Sequence, residues 1–530
     1  MPENGIRRGK RARTRDASAS GPTPSATRTG ALAARVTSAP TAQPSTSITP
    51  AGRAARLLGA LTTRATRWLE RQDWTVWALL LITLLALIPR LYGLNWDSGN
   101  HLHPDEREIV FKAMCVTLPA TPRAASCDPA YTGPGWLLSA SSPLNTHFFA
   151  YGSFPQYLLA VATHGMAWFS KLTGLFRLTA GNAWDDFNHF TLIGRVLSAL
   201  FDAGSVLLTG LIARRLTGRR AALLAAAFVA VIPFNVQVAH FYAVDTLLLF
   251  FVLLTLYGCI QLAQGPLPRA AKPNDGDEAV PRPAFWSAWG GGVFIGVSFG
   301  LAMATKVSAL PLLAPILVAL LLRWRRRGLE EALLALLGLG AAVVITYLLT
   351  SPYTLIDWKN FQLQVNEQTN LSQGKLDYPY VRQFAGTTPF VYEIRQLLLY
   401  DMGLPLGLAG LAGIGWAISR VWRRLDSDWG ILVVWTLGYF AVIGSAYTKF
   451  SRYMLPVFTP LAICAAAMIA ALAMWGTRRV ALPRSVQAQP TPTAPFPTGV
   501  GGAGGVRISL WHGLTARTAR ITNAATRLWG

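Results

Sequence analysis

The residues best suited to chemistry follow the first long apolar run of the chain. The stretch Asn95-Trp96-Asp97-Ser98-Gly99-Asn100-His101-Leu102-His103-Pro104-Asp105-Glu106-Arg107 gathers three acids and two histidines. Pro104 suits the first position of a helix, which puts Asp105 and Glu106 in its first turn, where carboxylates also favour the positive helix end for structural reasons alone. A second group is scattered but recurs at the ends of apolar runs: Arg195, His240, Tyr242, Asp245, Lys306, Lys449, Arg452 and Tyr453. Ionisable groups near membrane depth are costly and often mark function, although a lone Lys or Arg also snorkels to the interface. Acids and cations together at a lipid boundary suit displacement at a carbon that carries a lipid phosphate. The leaving phosphate is already a stabilised anion, so one carboxylate suffices as base while Lys and Arg hold the phosphate.

The elements that must position these residues are apolar helices. The chain has 530 residues, 52% hydrophobic and only 14% charged, whereas a soluble surface needs roughly a quarter charged. Apolar runs recur from Trp74 to Trp475, and a hydrocarbon core takes roughly 20 apolar residues as helix. The sequence therefore predicts an all-α membrane protein. The formal charge of +23, from 48 Lys+Arg against 25 Asp+Glu, sits in the two tails and in short loops. That is the positive-inside pattern and not a nucleic-acid surface.

Three regions follow. Residues 1–73 read as a disordered basic cytoplasmic tail, with a surface helix at Arg53–Arg71. Residues 74–476 read as the polytopic domain, and 477–530 as a cytoplasmic Pro/Gly linker and basic amphipathic tail. Gly265–Pro283 reads as a polar linker between spans.

Loop charge sets the orientation. Arg214, Arg215, Arg219 and Arg220 crowd one connection, Arg323, Arg325, Arg326 and Arg327 a second, and Arg420, Arg423 and Arg424 a third. All are expected to be cytoplasmic. If both Phe154–Leu172 and Leu192–Ala213 crossed the membrane, Arg214 would lie outside. Phe154–Leu172 holds Pro155, Gln156, His164 and Lys171, and is assigned as a juxtamembrane helix. About ten spans then remain, near 74–92, 192–213, 221–239, 242–263, 286–304, 307–322, 331–350, 396–419, 429–447 and 453–475, leaving both tails inside. Two large loops, about 93–191 and 351–395, are placed outside, with the scattered charged groups at the same outer face as Asp105. Long loops of this kind usually carry function. Cys115 and Cys127 share the first loop and could pair in an oxidising compartment; spacing alone does not decide it.

These pieces, in order, resemble the C-type, polyprenyl-phosphate-dependent glycosyltransferases of the protein O-mannosyltransferase and aminoarabinose-transferase kind (glycosyltransferase family 39-like). The resemblance runs from Trp74 to Trp475. It rests on the Asp105-Glu106 pair after the first span, Tyr151-Gly152-Ser153-Phe154-Pro155-Gln156-Tyr157-Leu158, Gly194-Arg195-Val196-Leu197-Ser198-Ala199-Leu200, Ala213-Arg214-Arg215-Leu216-Thr217-Gly218-Arg219-Arg220, Pro233 with His240 to Asp245, Gly300-Leu301-Ala302-Met303-Ala304-Thr305-Lys306, and Lys449-Phe450-Ser451-Arg452-Tyr453-Met454-Leu455-Pro456.

The resemblance implies a multi-pass plasma-membrane enzyme that transfers a sugar with inversion from a polyprenyl-phosphate-linked donor to a protein, lipid or glycan acceptor at the extracytoplasmic face. It implies Asp105 as the base, with Glu106 orienting the acceptor or a metal and Asp97 as a rival base. Arg195, Lys306, Lys449 and Arg452 are the candidates for the donor phosphate, and His103, His240, Tyr242 and Asp245 for the substrate. Any divalent ion would use Glu106 and His103. The double proline usual in that loop is here Phe154-Pro155, and no large soluble domain follows the last span, which leaves the acceptor open. A transporter or flippase of lipid-linked saccharides is the alternative, but it should place its charges near the bilayer midplane. A non-catalytic scaffold would leave Asp105 and Glu106 dispensable.

Overall fold

The computed structural model describes residues 74–119, 125–174, 183–265, 287–424 and 426–480, with backbone alone at 183–186 and 476–480. The expected tail of 1–73 with its surface helix, the linker after Gly265, and the C-terminal linker and tail from 481 onward lie outside these residues. The described residues are helical, with no strand among them. In chain order they form α1 (Trp74–Leu91), α2 (Pro104–Met114), α3 (Phe154–Thr173), α4 (Ala183–Thr217), α5 (Arg219–Ala230), α6 (Pro233–Val238), α7 (Val244–Gln264), α8 (Ala288–Thr305), α9 (Leu313–Arg327), α10 (Leu329–Thr350), α11 (Tyr353–Ile356), α12 (Trp358–Ser372), α13 (Val391–Gln396), α14 (Leu404–Trp422), α15 (Trp429–Gly444) and α16 (Leu455–Val480).

Among the described residues, eight helical segments are long and apolar enough to cross a membrane: Trp74–Leu91, Phe187–Thr217, Val244–Gln264, Ala288–Thr305, Val307–Arg327, Leu329–Thr350, Leu404–Trp422 and Ser451–Trp475. The chain is a multi-pass helical membrane protein. Helices suit this environment because they satisfy every backbone group internally. Two of the ten expected spans are shorter than that. Residues 429–447 form the 16-residue α15. The run 221–239 is broken into α5 and α6 before Pro233, which supplies no N–H to continue a helix. The span expected from 396 begins later, because Gly403 at φ +77° separates a π-helical turn, Leu397–Asp401, from α14. Helix α3, expected not to span, is 20 residues long yet is not among the apolar crossing segments.

Small residues let two of these helices approach closely. A Cβ on Gly292 of α8 would lie 2.0 Å from the Ala335 carbonyl oxygen of α10, and one on Gly296 would lie 2.5 Å from that of Leu339. The α5–α6 break is closed by Arg90 at the end of α1. Its Nη1 donates to the carbonyls of Ala86 (2.8 Å) and Ala230 (3.0 Å), its Nη2 to that of Val229 (3.3 Å), and its Nε to Asp202 Oδ2 (2.5 Å). Asn235 of α6 donates to the other oxygen of Asp202 at 3.2 Å. A buried cation thus caps carbonyls that a broken helix would otherwise leave unsatisfied, and Asp202 compensates its charge.

The two large loops brace one another. Gln364 of α12 accepts the Phe149 and Ala150 N–H groups at 2.7 and 3.2 Å and donates to the His147 carbonyl at 3.0 Å. Asn145 donates to Asp357 at 2.9 Å, and the Tyr353 hydroxyl donates to Ser142 at 2.7 Å. Cys115 and Cys127 form a disulfide, which ties the end of α2 back to the loop.

Candidate functional site

The α2 segment separates its two acids. His103 is the N-cap of α2, in extended backbone at φ −81°, and its Nδ1 accepts the Glu106 N–H at 3.2 Å. Its ring stacks on Phe241 at 4.5 Å. Pro104 occupies the first turn, as expected. Glu106 then points inward, fully buried, while Asp105 points to a half-buried cluster.

Glu106 meets Arg195 near the start of the membrane-crossing part of α4. Arg195 donates Nε to Glu106 Oε1 (2.9 Å) and Nη2 to Glu106 Oε2 (2.7 Å). It donates Nη1 and Nη2 to Asp97 Oδ1 (3.0 Å) and Oδ2 (2.8 Å), and Nη1 also to the Leu94 carbonyl (2.7 Å). The Tyr242 N–H adds a further donor to Glu106 Oε1 at 2.8 Å. These bonds engage every N–H of the guanidinium. The side chains of Arg195, Asp97 and Glu106 are at most 1% exposed. The Arg195 hydrogen bonds hold the Asp97 carboxyl down at about 2. Arg195, singled out above for the donor phosphate, Asp97, the rival base, and Glu106, expected to orient the acceptor or a metal, therefore form a closed clamp between the loop and α4. Both Glu106 oxygens are bound in it, and His103 Nδ1 caps a helix. Among the described residues no three His, Cys, Asp or Glu side chains are gathered as a metal site.

Asp105 belongs to a different cluster, built where three crossing segments begin or end. Asp245 lies in the first turn of α7. Lys306 caps α8 in extended backbone at φ −159°, just before a 3₁₀ turn, Val307–Leu312. Arg452 lies in a 3₁₀ turn, Ser451–Met454, that leads into α16. Arg452 Nη1 is 2.6 Å from Asp105 Oδ2, and Lys306 Nζ donates to Asp245 Oδ1 at 3.2 Å. The two ion pairs share one ring: Lys306 Nζ lies 4.6 Å from the centre of Tyr453, and the Arg452 guanidinium 5.7 Å from it. The Tyr151 ring centre also lies 5.5 Å from Lys306 Nζ. Burial and the negative charge of Asp105 raise the Tyr151 hydroxyl well above its ordinary range. Burial lowers His103, as does Arg452, against the pull of Asp105, Glu106 and Asp245. The loop reaches this place because Gly152 packs on α8: its N–H donates to the Thr305 carbonyl at 3.0 Å, and a Cβ there would meet the Ala304 carbonyl at 1.8 Å.

The remaining candidates are placed apart from this pair of ion pairs. His240 contacts two backbone carbonyls, of Val236 (2.7 Å) and Tyr92 (2.9 Å). Tyr242 donates its hydroxyl to the Pro155 carbonyl at 2.7 Å. Lys449 donates to the Tyr447 carbonyl at 3.0 Å. One residue had no sequence signal at all: Tyr380 of the second loop, 53% exposed, lies within electrostatic reach of Asp105 and Arg452 and stacks on Tyr378 at 5.6 Å. Asp202 does carry a signal in the sequence, as an acid inside an apolar run.

The cationic connections lie at the other end of α4. Arg195 and Arg215 are some twenty residues apart on one helix, or about 30 Å. There Arg215 donates to the Gly265 carbonyl (3.2 Å), Arg326 pairs with Asp428 (2.7 Å), and Arg323 pairs with Glu331.

Comparison with known proteins agrees with the resemblance read from the sequence. The family model described as dolichyl-phosphate-mannose-protein mannosyltransferase matches residues 145–356. That is less than half of the chain; it includes Arg195, Asp245 and Lys306 but neither Asp105 nor Arg452. A search of curated proteins gives no match. Among solved structures, the apo oligosaccharyltransferase of Archaeoglobus fulgidus is similar at 15% identity and a TM-score of 0.48, over 77% of this chain and 52% of that one. ArnT of Cupriavidus metallidurans bound to undecaprenyl phosphate is similar at 19% and 0.44, over 75% and 61%. The Saccharomyces cerevisiae protein O-mannosyltransferase Pmt1-Pmt2 complex bound to the sugar donor is similar at 16% and 0.36, over 55% and 34%. The chain thus spans about half the length of the archaeal enzyme.

Proposed function

We propose that the protein transfers a sugar from a polyprenyl-phosphate-linked donor to an acceptor hydroxyl or amine, with inversion, at the extracytoplasmic membrane face. The observation that carries this reading is the arrangement of Asp105, Arg452, Asp245 and Lys306, with side chains 5–22% exposed, where three crossing segments break. It supplies one carboxylate for a proton and two cations for a phosphate at one membrane boundary. The family match over residues 145–356 supports the same class.

In this mechanism the acceptor oxygen or nitrogen attacks the anomeric carbon. The bond from that carbon to the phosphate oxygen breaks, and its electron pair leaves with the polyprenyl phosphate. The acceptor proton passes to Asp105. Arg452 and Lys306 take the developing negative charge, as preorganised cations in a water-poor site do. Without donor, Arg452 is paired with the base itself, so the donor phosphate and Asp105 compete for one guanidinium. Donor binding draws Arg452 away and leaves the carboxylate available. Arg195 and Glu106 position α2, and through it Asp105, without touching substrate. Tyr380 would face the acceptor.

Two observations support the assigned side. The Cys115–Cys127 disulfide belongs to an oxidising compartment. The arginine-rich connections lie at the opposite helix ends, as the positive-inside rule requires of cytoplasmic ones.

The test is transfer of labelled sugar from a polyprenyl-phosphate donor by purified protein in lipid. Asp105→Asn should lower the rate by about a hundredfold to ten-thousandfold, the range of a general base, with donor binding retained. Arg452→Gln and Lys306→Met should instead weaken donor binding. Wild-type turnover by Asp105→Asn would overturn the assignment.

A further inference from the structure

We infer that the second loop carries the acceptor site, and that the acceptor is a saccharide whose ring lies on Tyr378 and Tyr380. The inference rests on the transfer reading above and names the acceptor class which that reading leaves open. The two tyrosines stand on a rigid support. Tyr378 is the N-cap of a 3₁₀ turn, Pro379–Phe384, and Pro379 fixes its own φ. Val381 and Phe384 of that turn are buried, which leaves Tyr380 facing outward. Side-chain bonds hold the turn: Arg382 donates Nε and Nη2 to the two Asp377 oxygens at 2.7 Å each, the Tyr378 hydroxyl donates to Glu367 Oε1 at 2.8 Å, and Gln383 donates to the Tyr380 carbonyl at 2.6 Å. The two rings lie 11° from parallel with centres 5.6 Å apart, and Tyr378 is 37% and Tyr380 53% exposed. Tyrosines fixed in this way offer a large contact face with little side-chain freedom left to lose on binding.

The platform adjoins the reacting groups. Tyr380 packs on Phe450 at 6.4 Å, and the Arg452 guanidinium lies 4.9 Å from the centre of the Phe450 ring. Asp105 and Arg452 both act electrostatically on the Tyr380 hydroxyl. An acceptor lying on Tyr380 therefore arrives beside the base and beside the cation that holds the donor phosphate. The chemistry of the platform selects the class. Asp377, Arg382 and Glu367 are engaged within the loop. Among the described residues there is no strand edge for an extended peptide to join. What remains is flat ring surface and the Tyr380 hydroxyl, which has no hydrogen bond among the described residues. A pyranose complements both: its positively polarised C–H face packs on the negative face of an aromatic ring, and its rim hydroxyls bond a neighbouring hydroxyl. Tyrosines are also exposed in the aromatic belts of membrane interfaces. Here the Arg382–Asp377 pair, 63% and 71% exposed, puts the turn in water.

The experiment uses the full-length protein in nanodiscs, with polyprenyl phosphate added to fill the donor cluster. Methyl glycosides of mannose, glucose, galactose and arabinose, and a neutral threonine tripeptide, are tested one at a time by saturation-transfer NMR. The same probes then serve as acceptors for labelled sugar. At least one glycoside should receive saturation on its C–H protons. Tyr380→Ala should lower that signal and raise the KM for this acceptor at least tenfold, with the KM for the donor unmoved. Tyr378→Ala should cost a few-fold, and Tyr380→Phe, which keeps the ring, no more than that. Binding of the tripeptide with no glycoside bound, binding and acceptor KM unchanged in folded Tyr380→Ala and Tyr378→Ala, or a rise confined to the donor KM would overturn the assignment. The NMR signal needs no transfer and should persist in Asp105→Asn, so the acceptor site and the catalytic reading fail separately.

Discussion

Asp105 and Glu106 are neighbours in the chain and opposites in the structure. Glu106 enters a clamp in which one guanidinium binds two carboxylates and a carbonyl, with all three charged side chains at most 1% exposed. Asp105 meets its arginine through one contact, and that pair is 19–22% exposed. The first arrangement has no donor left to give a substrate. The second can exchange its partner. The difference teaches that a charged pair at a membrane boundary is assigned by how completely its hydrogen bonds are closed, not by which residue types it contains.

The comparison can be broken at the clamp first. Arg195→Met leaves two buried carboxylates without their cation and should destabilise the fold by about 3–5 kcal/mol, read by thermal unfolding in detergent. Arg452→Gln removes a partner that still reaches solvent and should cost less stability than Arg195→Met, while weakening donor binding tenfold or more. Equal stability losses in the two variants would erase the distinction. Replacing Cys115 and Cys127 together by Ser opens a short loop beside α2 and should cost about 2–3 kcal/mol, with transfer retained at low temperature.

The pH response sharpens the same contrast. The Asp97 carboxyl has an ordinary value of 3.8 and is held at about 2 by Arg195. A lowered carboxyl adds stability that is complete above the ordinary value and is lost as pH falls through the folded one. Unfolding followed from pH 5 to pH 2 should therefore show a loss between about 4 and 2 that Asp97→Asn removes. The smallest effect belongs to the exposed Arg382–Asp377 pair of the second loop: Arg382→Ala should change stability by less than about 1 kcal/mol.

Much of this was legible in the sequence. Apolar run length gave the crossing helices, and the Arg214 conflict identified α3 as the long helix that is not apolar enough to cross. Pro104 and the two following acids marked the start of α2. The division of labour within Asp-Glu was not legible, because it depends on which way one helical turn faces. Arg195 looked like a phosphate ligand because its type and depth suit one; only its five bonds, made to residues about ninety to one hundred positions away, place it in a clamp. Arg90 ends an apolar run, and nothing in the sequence around it shows that it caps the broken α5 from the inside. Tyr380 comes from a loop with no periodic signal and reaches the site only through packing on Phe450, with a ring separation of 6.4 Å.

The most direct test sets Asp105→Asn beside Glu106→Gln in one preparation, measuring transfer from a polyprenyl-phosphate sugar and unfolding temperature together. The account predicts that Asp105→Asn unfolds like the wild type and loses transfer by at least about a hundredfold, while Glu106→Gln lowers the unfolding temperature and keeps measurable transfer where it remains folded. Transfer preserved in Asp105→Asn, with the loss confined to a stably folded Glu106→Gln, would contradict it.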